Sequence, residues 1–108
     1  MEFFGKLDMN DDGEFIIHTE AGTTNISKIL NDIFDSQLRP LVYVRVAKCG
    51  NLLFEEDGRL TIAMDEQRVE SFYICGLNLS KLLFYETNEV LEITVRKERK
   101  TKGLYGKS

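Results

Sequence analysis

A chain of 108 residues, 43% hydrophobic and 30% charged, suits one globular domain and is too short for two cores. Its start, Met1-Glu2-Phe3-Phe4-Gly5-Lys6, lacks the basic lead and apolar stretch of a secretion signal, and no run approaches ~18 consecutive apolar residues. The expectation is a cytoplasmic protein outside the membrane. The formal charge of −4 is unevenly spread, with +5 in residues 96–108 and −9 in residues 1–95, and such asymmetry concerns partners more than folding.

In chain order, Glu2 to Leu7 and Glu14 to Thr19 are short apolar-rich runs around Asp8-Met9-Asn10-Asp11-Asp12-Gly13. The Asp-Gly end supplies the positive φ of a hairpin turn, so this segment predicts a β-hairpin. Thr23 or Thr24 then caps a helix with one apolar stripe, Ile26, Ile29, Leu30, Ile33 and Phe34, and a polar face of Ser27, Lys28, Asn31, Asp32 and Asp35. Pro40 ends that unit. Leu41 to Lys48 alternates Val42, Val44 and Val46 with Tyr43, Arg45 and Ala47, the period of a strand with one buried face.

Leu52 to Glu55 and Arg59 to Met64 bracket Glu56-Asp57-Gly58, which predicts a second hairpin. Val69 to Cys75 follows as a strand. A helix from about Leu79 to Glu86 carries Leu79, Leu82, Leu83 and Tyr85 or Glu86 on its stripe. Glu89 to Lys97 closes the fold with Leu91, Ile93 and Val95 on one face. The fold class is therefore α+β: a largely antiparallel sheet with two helices on one face, in a single domain over residues 1–97. Residues 98–108 read as a basic, flexible tail.

An echo runs through this order. Asn25-Ile26-Ser27-Lys28-Ile29-Leu30 returns 53 positions later as Asn78-Leu79-Ser80-Lys81-Leu82-Leu83, and a strand follows each copy. Duplication into halves 1–50 and 51–97, of ββαβ type, is one reading. Convergence on the ordinary ingredients of a helix start is the other.

The motifs carry little chemistry. Asp8-x-Asn10-x-Asp12-Gly13 resembles the opening of an EF-hand calcium loop, but Thr19 stands where the closing bidentate carboxylate belongs, and Glu20 comes one place late. Cys49 and Cys75, each before a glycine, are 26 residues apart with no neighbouring ligand, and read as free, partly buried thiols. His18 is the only histidine, and a triad would need a carboxylate and a hydroxyl or thiol to reach it from elsewhere in the chain. No catalytic residue, cofactor or metal site is expected.

The functional expectation is a small non-catalytic protein-interaction module that binds through an exposed sheet face or edge, with Tyr43 and Arg45 as contacts, and that forms a homodimer by the same routes. The alternative is a nucleic-acid-associated protein using Arg96, Lys97, Arg99, Lys100, Lys102 and Tyr105, where cations meet phosphate and the tyrosine stacks on a base. A third reading takes the acidic body as a mimic or inhibitor directed at a basic partner. Its discriminator is whether the carboxylates gather on one face.

Overall fold

The computed structural model describes residues 1–98. Eight antiparallel strands form one sheet: β1 (Glu2–Met9), β2 (Phe15–Thr19), β3 (Gly22–Asn25), β4 (Leu41–Lys48), β5 (Asn51–Met64), β6 (Glu70–Ile74), β7 (Leu77–Asn78) and β8 (Val90–Glu98). Two helices, α1 (Ile26–Ser36) and α2 (Leu79–Tyr85), interrupt them. The spatial order is β3-β2-β1-β8-β4-β5-β6-β7, so the last strand lies in the middle, between β1 and β4. Among the described residues no helix is long and apolar enough to cross a membrane.

Period-two alternation decides which face is buried. Leu7, Ile17, Val42, Val44, Val46, Leu60, Ile74, Leu91, Ile93 and Val95 are shielded beneath the helices in one core with Ile26, Leu30, Leu79 and Leu83. Among the described residues no helix lies on the other sheet face. Helix placement follows the predicted stripes with adjustments. Ile26, Leu30 and Ile33 are buried while Ile29 and Phe34 are only partly so, and on α2 Leu79 and Leu83 are buried, Leu82 partly, and Tyr85 exposed. Ser27, expected on the wet face, is buried and accepts the Phe15 N–H at 2.9 Å; Ser80 accepts that of Phe72 at the same distance.

The caps also differ from expectation. Thr23 and Thr24 belong to β3, and the N-cap of α1 is Asn25, whose side chain accepts the Lys28 N–H at 2.8 Å. Asn78 caps α2 by the same bond to Lys81, at 2.9 Å. An asparagine oxygen that takes an orphan N–H stabilises a helix start by typically ~1 kcal/mol, and it holds the backbone extended just before the helix.

The predicted second hairpin at Glu56-Asp57-Gly58 is absent: β5 runs unbroken through it for 14 residues. Gly58 is a point of close approach instead of a turn. A Cβ there would lie 2.2 Å from Cys75 Sγ. Just past Gly58, between Arg59 and Leu60, β5 passes from pairing with β4 to pairing with β6. The actual turn is Cys49-Gly50, with φ of 50° and 81°, and Cys75-Gly76 repeats it at 53° and 81° between β6 and β7. Two successive positive φ values make a type I′ turn, whose twist matches the strands it joins.

The first hairpin forms as predicted. Asn10 Oδ1 accepts the N–H groups of Asp12 and Glu14, and Asp65 Oδ1 accepts those of Gln67 and Val69 in the loop between β5 and β6. Of the side chains resembling a calcium loop, Asp8, Asn10 and Glu14 accept hydrogen bonds from their surroundings. Glu14 accepts from Asn10 and Asn25, both at 3.0 Å, and these amides hold its carboxyl below the usual range.

Candidate functional site

The helix-free face is built from cross-strand rows fixed by register. Its middle row is Glu2–Thr94–Arg45–Glu55, across β1, β8, β4 and β5. On one side of it lies Phe4–Glu92–Ala47, and on the other Arg96–Tyr43–Asp57. Glu2, Phe4, Tyr43, Arg45, Glu92, Thr94 and Arg96 surround a depression of about 440 Å³. Tyr43 and Arg45, expected as contacts from alternation alone, both line it. Phe4 and Thr94 were not singled out by the sequence reading, although alternation beside Phe3 could have placed Phe4 outward, where it is 65% exposed.

The polar groups restrain one another loosely. Tyr43 Oη donates to Glu55 Oε2 at 2.6 Å, and that carboxylate, with some burial, holds the phenol above its ordinary value. The Arg96 guanidinium lies 4.2 Å from the Tyr43 ring centroid, a cation–π arrangement that keeps both planes in place. Arg45 Nη1 is 4.0 Å from Glu92, and Arg96 Nε is 3.6 Å from Glu98. Exposed pairs of this length contribute ~0–1 kcal/mol, so both guanidinium groups keep donors for an incoming acceptor.

Of the residues proposed for nucleic acid, Arg96 and Lys97 belong to β8, with Arg96 on this face and Lys97 on the opposite one opposite Val42. Arg99, Lys100, Lys102 and Tyr105 lie outside the described residues. The carboxylates on the helix-free face, Glu2, Asp8, Glu55, Asp57, Glu92 and Glu98, are interleaved with Lys6, Arg45, Arg59 and Arg96.

A second cluster sits on the same face nearer the β3 edge. His18 Nε2 is 3.2 Å from Asp8 Oδ2, and its Nδ1 is 3.0 Å from Thr23 Oγ1. The order is that of a carboxylate, base and hydroxyl. His18 and Asp8 are both nearly half exposed, however, so water competes for each bond and the low-dielectric setting that activates a nucleophile is missing. The cluster acts as a lateral tie between β1, β2 and β3. The Met9 N–H and then His18 hold the Asp8 carboxyl below the ordinary range. A depressed folded-state pKa gives a contribution present above the unfolded value and lost as pH falls through the folded one. Wild type is therefore expected to lose more urea resistance than Asp8→Asn as pH falls from neutral through and below the ordinary carboxylate range, and equal losses would remove this role for Asp8.

Cys49 and Cys75 are free but exposed rather than partly buried, because each sits in a tight turn, and among the described residues no group of three or more metal-ligating side chains converges. Both sheet edges are short, four residues in β3 and two in β7, and each runs directly into a helix. Such edges are poor templates for strand addition. Against known proteins, no family model matches the chain, and no similar curated protein or solved structure was found.

Proposed function

We propose that the protein is a non-catalytic interaction module that docks a partner protein on its helix-free sheet face, with Tyr43 and Arg45 as central contacts and Phe4, Thr94 and Arg96 around them. The observation that carries this is the exposed Phe4 ring on a central strand, beside a depression lined by one tyrosine and two arginines. Aromatic and arginine side chains dominate interface energetics, because each covers a large area and arginine adds directional donors. The short edges favour face docking over strand addition, for a second copy of the chain as for any other partner.

The test is quantitative affinity capture from the source cell with wild type, Phe4→Ser and Arg45→Glu, after circular dichroism shows that all three are folded. A specific partner should bind both variants about 30-fold more weakly, the effect of losing a contact worth ~2 kcal/mol. Partners retained equally by all three would overturn the reading.

Arg96 favours one second reading. It joins the exposed aromatic groups to the start of the basic segment, an arrangement suited to a single-stranded nucleic acid. In the same series, salt-sensitive binding of a labelled oligonucleotide by the full chain would select it. The comparison truncation must end at Glu98, because ending at Val95 removes strand pairing to Leu41, Val42 and Tyr43.

A further inference from the structure

We infer that the chain is two copies of one βββαβ unit, residues 1–48 and 51–98, which have exchanged their last strands, so that each half is the other's binding partner. The pairing is the first observation. Among the described residues β4 hydrogen-bonds only to strands β5 and β8, both of the second half, and β8 only to strands β1 and β4, both of the first. The strand order consequently reads the same from either edge once the halves are interchanged.

Side chains and backbone repeat the same relation. Gly5 and Gly58, 53 positions apart, each stand just before the point where the first strand of a half changes partner, at Lys6 in β1 and between Arg59 and Leu60 in β5. The Leu7 N–H donates to Glu89 O and the Leu60 N–H to Pro40 O, both at 2.9 Å. The first turn of each half is the same: Asn10 N–H to Glu14 O and Gly13 N–H to Asn10 O in one, Asp65 N–H to Val69 O and Arg68 N–H to Asp65 O in the other. Asn25 and Asn78 cap, and Ser27 and Ser80 hold Phe15 and Phe72. Convergence on a helix start accounts for the caps alone, whereas duplication accounts for the glycines, the turns and the crossed bonds as well.

Two consequences follow. A first half separated in its described conformation would leave β4 without any hydrogen-bonded neighbour and expose Val42, Val44 and Val46, each at most 1% exposed in the described structure. The rows of the docking face also alternate between halves: Glu2 and Arg45 come from the first, Thr94 and Glu55 from the second. The site exists only in the interlocked assembly.

The experiment inserts a protease recognition sequence between Cys49 and Gly50 of the full chain and cuts it after folding. The nicked protein should run as one species with the mass of both halves and an unchanged circular dichroism spectrum. After denaturation it should refold at a rate that rises with fragment concentration. Separation into halves with the first still structured would overturn the exchange. A second variant, with residues 25–30 and 78–83 interchanged in the uncut chain, tests equivalence independently of the insertion. It should melt within about 5 °C of wild type, and loss of folding would overturn the duplication.

Discussion

Replacing Gly5 by alanine is expected to destabilise the domain by about 3–5 kcal/mol, the upper range for a single substitution. A Cβ at this position would lie 1.9 Å from His18 O, 2.7 Å from His18 C and 3.1 Å from Thr19 Cα. All three are backbone atoms of β2, so no rotamer change relieves the overlap. β1 and β2 would have to part where Lys6 pairs with His18. The related glycine behaves differently, because Gly58 faces Cys75 Sγ, the end of a side chain. Removing that sulfur in Gly58→Ala/Cys75→Ala should recover the steric part of the Gly58→Ala cost and leave the backbone strain of a residue at φ 150°. Urea unfolding of the four proteins reads both effects. A Gly5→Ala domain within about 1 kcal/mol of wild type would show that the strands separate more easily than this geometry allows.

The second large effect lies under the helices. Leu30 and Leu83 are 0% and 1% exposed, and truncating either to alanine is expected to cost about 2–5 kcal/mol through lost burial and the cavity left behind. Ile29 and Leu82, their neighbours on the same stripes, are only partly buried, and alanine there should cost distinctly less. Because each half's last strand belongs to the other half's sheet, both leucine variants should unfold in one cooperative transition seen identically by near- and far-UV circular dichroism. A larger loss at Ile29 than at Leu30 would mean that α1 is rotated from its described orientation.

Much of the frame was legible because local periodicity decides it. Val42, Val44 and Val46 announce their strand and its buried face, and the same alternation turns Tyr43 and Arg45 outward together. The failures have local causes too. Asp57-Gly58 looks like a turn until the crowding by Cys75 explains the glycine, and that contact spans 17 positions of sequence. Cysteine is an unusual residue at positive φ, so the turns at Cys49-Gly50 and Cys75-Gly76 carried a weak signal. β3 and β7 are too short to show a period. The site required β8 to enter between β1 and β4, a pairing set by packing of the whole chain, which is why Arg96 read as a nucleic-acid contact rather than as the cover of Tyr43.

The crossed strands give the proposed docking face a heading. Half a turn about the Arg45–Thr94 pair carries Tyr43 onto Glu92 and Phe4 onto Asp57, and exchanges the Arg45 guanidinium for the Thr94 hydroxyl. The buried layer tolerates that rotation, since Val42, Val44 and Val46 fall on Leu91, Ile93 and Val95. The outer layer does not. A segment laid across these strands would trade ring for carboxylate and cation for hydroxyl if it were reversed, so the surface distinguishes the two ends of whatever it holds.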